Sequence, residues 1–271
     1  MFGETVNIRF GVSSVLSAGN TLYLYERLND YISDKLGLKV ELVSSKSYKD
    51  MNELIKRSEV DFASICSGAI AFLDNNLFRI LVVPVVEGKK EYQSYLIVHK
   101  DFEYKDIDSI KGKIVTFTDE ISFSGTMYPI YYLKQMGIEP QHFFSKVFFT
   151  GSHDKSIYLV SKKVVDAAFV DSLIYNHEMI VNLGVAGKTK IVHKSGYFPI
   201  PPIVASGKMN DELFYKIRDI LIKMHNDSEG RNILKMLNID RFDEGGDLDY
   251  SEVIKISNEV KDIKIINPQT F

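Results

Sequence analysis

Along the chain, short runs rich in β-branched and aromatic residues alternate with stretches whose apolar positions recur every three or four residues. Residues 7–12 are predicted as a strand that starts at Asn7. Leu24, Leu28, Tyr31, Ile32 and Leu36 then mark one helix face, Gly37 stops it, and 39–43 is the next strand. A helix over 49–57, a buried strand over 60–65, a short helix opening at SGAI and an almost wholly apolar central strand over 79–86 continue the alternation. The run YQSYLIVH, 92–99, has the polar–apolar alternation of a strand, and the polar segment DFEYKDIDSIKG follows it.

From Lys113 the pattern restarts. KIVTFTD is a strand, 126–136 a helix, 146–150 a strand, 155–160 a helix and 167–170 a strand. Strands alternating with helices are the grammar of βαβ units and a largely parallel sheet. YFPIPPIV, 197–204, is a stiff extended crossing that its prolines bar from helix. Helices over 212–225 and 230–237 and an amphipathic tail over 250–260 follow, predicted to pack back on the first lobe. The expected organisation is therefore two α/β lobes. The first is discontinuous, 1–98 plus 203–271; the second is 99–202; crossings fall near 96–100 and 199–204. Two crossings between two lobes make a cleft with a hinge.

With 271 residues, 45% of them hydrophobic, the chain can bury a large core. A net charge of -3 provides no global field for nucleic acid or an anionic membrane, so any anion site is local. Cys66 is the one cysteine, which excludes an intrachain disulfide. No apolar run reaches the roughly 20 residues of a membrane span. The amino end MFGETVNIRF has no signal-peptide pattern, so the expectation is a cytosolic protein or one read after its leader.

The stretch SFSGTMYP, Ser122 to Pro129, sets small donors before a helix. A helix start carries unpaired N–H groups and the positive end of the macrodipole, so Ser and Gly there build an anion cradle. Gly125 would let backbone approach a ligand. The plain alternative is that Ser122 or Ser124 caps the helix. GSHDKS, 151–156, repeats the arrangement after the next strand: His153 can donate to an oxyanion, and Asp154 can cap the helix or orient the imidazole. Asp171 ends the strand AAFV, as a ligand acceptor or as a cap. Tyr48 and the CSGA run, Cys66 to Ala69, stand at equivalent positions of the first lobe. Ligands of open α/β folds gather at such strand ends. There is no GxSxG elbow, P-loop or HExxH, and the six histidines do not cluster at metal-ligand spacing. No catalytic residue, metal or cofactor is predicted, and no basic aromatic patch for nucleic acid is present.

The ordered set SEVDFASICSGA, VVPVVEGKKEYQSYLIV, KGKIVTFTDEISFSGTMYPIYYLKQMGI, FFSKVFFTGSHDKSI and VVDAAFVDS resembles the phosphonate/phosphate/phosphite substrate-binding proteins of ABC transporters, the PhnD-like family. The similarity runs from about Asn7 to Ile263. It implies the type II periplasmic-binding-protein fold, two α/β lobes with mostly parallel sheets flanked by helices and joined by two hinge strands. It also implies an oxyanion held by Ser122, Ser124 and the adjoining Gly125 and Thr126, by His153 beside Asp154, by Tyr48, by Tyr92 with Tyr95 as the alternate, and by Asp171 toward a ligand amine. The position between the serines, usually threonine in the family, is Phe123, which removes a hydroxyl and adds bulk. A ligand smaller, less charged or otherwise different from an aminoalkylphosphonate is implied. The expected role is that of a monomeric, extracytoplasmic, membrane-anchored, non-catalytic binding protein that delivers its anion to a permease. The same fold also serves as the sensing ectodomain of a membrane kinase or cyclase, and in biosynthetic enzymes; in the latter case only His153 with Asp154 or Asp171 would serve.

Overall fold

The computed structural model describes residues 8–13, 18–263, 265 and 269–270; Asn7, the expected start of the first strand, lies outside them. The strands in chain order are β1 (Ile8–Val12), β2 (Val40–Ser44), β3 (Phe62–Ser64), β4 (Phe78–Val85), β5 (Glu91–Tyr92), β6 (Ser94–His99) and β7 (Ile114–Phe117). They continue as β8 (Lys146–Phe149), β9 (Ala167–Asp171), β10 (Thr189–Lys194), β11 (Phe198–Pro199), β12 (Ile203–Ser206), β13 (Arg241–Asp243) and β14 (Gln269–Thr270). The helices are α1 (Ala18–Leu36), α2 (Tyr48–Lys56), α3 (Tyr128–Gln135), α4 (Pro140–Phe143), α5 (His153–Ser161), α6 (Ser172–Val181), α7 (Leu183–Ala186), α8 (Asp211–Lys223), α9 (Ser228–Met236) and α10 (Ser251–Val260).

The chain divides into two compact units. One takes the chain up to Glu91 and Pro199–Asp249; the other takes Tyr92–Phe198 and the chain from Tyr250 onward. The first unit's sheet runs β13-β4-β12-β3-β1-β2. Its β2-β1-β3 part is parallel, whereas β12 lies antiparallel between β3 and β4. Phe10 of β1 stacks on Phe62 of β3 with centroids 4.5 Å apart, at the centre of a core that α1, α8 and α9 cover. α2 shows the local logic: the Ser47 hydroxyl accepts from the Asp50 N–H at 3.0 Å, and Tyr48, Met51, Asn52 and Ile55 bury one face at helical spacing.

The second unit's sheet runs β10-β6-β9-β7-β8-β14. β9, β7, β8 and β14 are parallel, while β6 and β10 join antiparallel. Both faces are buried. Leu96, Val98, Val115, Phe117, Ala167 and Phe169 pack on one side, and Tyr95, Ile97, Ala168 and Val170 on the other, as the two-residue period of a strand requires.

Boundaries differ from the sequence expectation in two places. The chain enters the second unit between Glu91 and Tyr92, not at 96–100, because β6 pairs with β9 and β10 along its whole length; it leaves between Phe198 and Pro199. The tail was expected on the first lobe, yet α10 belongs to the second unit, where it packs against α3 and buries Val253, Ile256 and Val260. Among the described residues the chain thus passes between the units a third time, between Asp249 and Tyr250. An amphipathic face states that a helix packs, not which groove receives it. Among the described residues no helix is long and apolar enough to cross a membrane.

Candidate oxyanion site

Within the second unit, β7, β8 and β9 end on the same edge, and β6, antiparallel to β9, starts there with Ser94 in register with Asp171. After β7 comes Thr118, then a turn in which the Ser122 N–H donates to the Asp119 carbonyl at 3.0 Å. Residues Phe123–Met127 form one π-helical turn, closed by the Met127 N–H donating to the Ser122 carbonyl at 2.9 Å. Such turns recur at functional sites. The following Pro129 has no N–H to give back to this turn. The Ser124 carbonyl is instead satisfied by the Ser94 hydroxyl at 2.5 Å.

Each small residue of the stretch has a separate task. The Ser122 hydroxyl accepts from the Gly125 N–H at 3.2 Å, so it is the cap that the plain reading of the sequence allowed. Thr126 donates its hydroxyl to the Asp119 carbonyl at 2.7 Å and anchors the turn. Gly125 is glycine because a Cβ there would collide with the Thr118 side chain and come 3.0 Å from the His153 Cε1. The close packing of Thr118 and the imidazole is thus a reason for glycine here besides the expected approach of a ligand. Phe123 is fully buried with its ring edge-on to Phe198 at 4.7 Å, so its bulk is spent in the aromatic packing of this unit.

Beyond β8, Gly151 adopts φ +78°, a left-handed conformation that glycine takes without strain, and donates its N–H to the Thr118 carbonyl at 2.7 Å. The chain then enters α5 at His153. The ring's Nδ1 lies 3.0 Å from the Thr118 hydroxyl and accepts the Asp171 backbone N–H at 3.1 Å. Burial pushes the imidazole's pKa down to about 3, with the Asp154 charge a smaller opposing influence. His153 is therefore neutral. Asp154 acts on the ring as a nearby charge.

Asp171 caps α6, its Oδ1 accepting from the Leu173 N–H at 2.7 Å. Burial pushes its carboxyl up to about 7, against the downward pull of the Leu173 and Ile174 N–H groups and the Ser124 hydroxyl. That hydroxyl, buried in a residue 1% exposed, makes no bond of ordinary geometry, although it lies close enough to Asp171 to act on it. No lysine or arginine contributes to either shift.

The structure therefore brings together Ser122, Ser124, Gly125, His153 and Asp171. Tyr92 opens this unit and is buried. Tyr95, its alternate, packs edge-on to Tyr175 at 5.9 Å and belongs to the core. Tyr48 is buried at the start of α2, and Cys66 precedes the 3₁₀ turn Ser67–Phe72; both stand at strand ends of the first unit. Sequence reasoning missed Thr118 and Ser94. Their one signal was a hydroxyl where an apolar strand ends or begins. The open groove of about 630 Å³ in the first unit is a poor rival, since its Lys35, Lys216 and Lys223 already pair with Asp227, Glu212 and Asp219.

Two α/β units, each with its own six-stranded sheet and each assembled from discontinuous segments of chain, define the class of type II periplasmic binding proteins. The family described as "ABC transporter, phosphonate, periplasmic substrate-binding protein" matches residues 10–250, and the chain belongs to it. A probable ABC transporter phosphite-binding protein, PhnD1 of Prochlorococcus marinus (strain MIT 9301), is 28% identical over 196 residues, which cover 68% of this chain and 66% of the relative, just under two thirds of its length. The solved structure of PhnD1 from Prochlorococcus marinus in complex with methylphosphonate has a TM-score of 0.83 at 19% identity, covering 93% of this chain and 97% of that one. The binding protein component of an ABC phosphonate transporter from Pseudomonas aeruginosa also has a TM-score of 0.83, at 24% identity, covering 94% and 86%.

Proposed function

We propose that the chain is a non-catalytic solute-binding protein that captures a tetrahedral phosphorus oxyanion (phosphonate, phosphite or phosphate) on the second unit's polar cluster and hands it to an ABC permease outside the cytoplasm. One observation carries this reading: His153 is buried, neutral and committed at Nδ1 as an acceptor, which leaves Nε2–H as a permanent donor in the same cluster as the unbonded Ser124 hydroxyl. Donors of this kind hold an anion without a cation, each hydrogen bond to a charged group contributing about 1.5–3 kcal/mol. An imidazole with a pKa near 3 is also a weak proton-transfer agent at neutral pH, which supports binding over catalysis.

Asp171 adds a condition on the ligand. A carboxyl titrating at about 7 beside an anion either keeps its own proton or accepts one from the ligand's P–OH group. Sulfate, which carries no proton near neutral pH, can use only the first of these two arrangements. The test is calorimetric titration with phosphate, phosphite, methylphosphonate, aminoethylphosphonate and sulfate, repeated with His153→Ala and Ser124→Ala. Each variant is expected to weaken the best ligand by about tenfold or more, roughly 1.4 kcal/mol, while the fold persists. Parent-like affinity in both variants refutes the site.

A further inference from the structure

Resting on that reading, we propose that Thr118 is a positioning residue that, with the Asp171 backbone N–H, fixes His153 in the Nε2–H tautomer, and that Gly125 is the slot in which this lock is housed. The argument is geometric. An unprotonated ring nitrogen has one lone pair, and a protonated one cannot accept. A backbone amide cannot reverse its polarity, so the Asp171 N–H at 3.1 Å requires Nδ1 to be unprotonated. The Thr118 hydroxyl, 3.0 Å from the same nitrogen, can then act toward it only as a donor, sharing the one lone pair with the Asp171 N–H. Two donors approach one nitrogen from different strands, β9 and the end of β7, and hold the ring in position as well as in tautomer.

Burial makes the arrangement exclusive. Thr118 is fully buried and His153 is 1% exposed, so no water competes for Nδ1. The absent side chain at 125 is part of the device, since a methyl there would sit 2.8 Å from the Thr118 Cβ and 3.0 Å from the imidazole Cε1. The lock presents a neutral N–H to the ligand, so this corner reads an acceptor oxygen and cannot serve as a general base.

The test compares the parent with Thr118→Val, which keeps the shape and loses the hydroxyl, and Thr118→Ser, which restores it. Ring ¹⁵N spectra of the ligand-free protein are expected to show Nδ1 unprotonated and Nε2 protonated in the parent and in Thr118→Ser. In Thr118→Val the ring signals shift and broaden, and affinity for the best oxyanion of the panel falls about three- to tenfold, with Thr118→Ser recovering it. A parent spectrum with Nδ1 protonated overturns the lock. So does Thr118→Val with parent-like spectrum and affinity in a protein whose His153→Ala variant loses binding. If His153→Ala and Ser124→Ala both bind like the parent, the functional reading itself fails, and the ring spectrum still decides the tautomer.

Discussion

Replacing Asp171 with asparagine should change how stability depends on pH more than it changes stability at any one pH. Asp171 is 3% exposed, and burial raises its pKa from 3.8 to about 7. Between those values the folded protein holds a proton that the unfolded chain has released, so stability falls as pH rises through the window. Three units at 1.36 kcal/mol each amount to about 4 kcal/mol. His153 works in the opposite direction. Its pKa drops from 6.5 to about 3, so between those values the unfolded chain binds the extra proton and stability rises with pH. The two slopes overlap from about pH 4 to 6.5 and nearly cancel in the parent, which should be flat there and then lose stability toward pH 7.

Asparagine keeps the cap, because its carbonyl oxygen can still accept from the Leu173 N–H, and it does not titrate. Asp171→Asn should therefore expose the histidine slope alone, gaining about 3 kcal/mol from about pH 4 to 6.5 and staying level above. Urea unfolding of ligand-free parent and variant across this range measures the difference directly, since all other groups are common to both. The gap between them should widen by about 4 kcal/mol from about pH 4 to pH 7.5 in favour of the variant. Parallel profiles would refute the claim that Asp171 is buried with a raised pKa.

Two further substitutions probe the packing beneath the site and the placement of the tail. Gly125→Ala forces a methyl against Thr118 and His153; it should cost about 1–3 kcal/mol in chemical unfolding and weaken oxyanion binding in the same protein. Unchanged values in both would mean the slot is not needed. Ile256→Ala, in the buried face of α10, should cost about 2–5 kcal/mol and raise hydrogen exchange in α3 while leaving β1–β3 as they were; faster exchange in β1–β3 instead would return the tail to the first unit.

Much of the second unit was legible because its sheet is buried on two faces, so strands such as LIV at 96–98 and AAFV at 167–170 show as unbroken apolar runs between helical periods. Crossing points were less so. YQSYLIVH is continuous in sequence, and only its pairing with β9 and β10 shows that the unit boundary lies before it. At the site, the sequence named His153, Ser124 and Asp171, because polar residues at strand ends are rare enough to notice. It left open whether Ser122 or Ser124 was the cap, and it did not reveal that Thr118 and Ser94 hold the other members in place. Those roles depend on contacts such as Ser94 to Ser124 and Thr118 to His153, separated by 30 and 35 residues, which leave no periodic trace.

The site's economy of charge has a physical consequence. A lysine or arginine among these groups would pair with Asp171, pull its pKa back toward that of an ordinary carboxylate and hold any anion of suitable size. With none contributing, the carboxyl keeps a pKa of about 7 and the imidazole stays neutral. Charge on a ligand must then be met by fixed N–H and O–H dipoles, whose benefit falls steeply with misdirection. On the proposed reading, discrimination rests on where each donor points and on a proton shared between ligand and Asp171. That is why the supporting contacts of Thr118, Gly125 and Ser94 matter to recognition as much as the groups proposed to touch the anion.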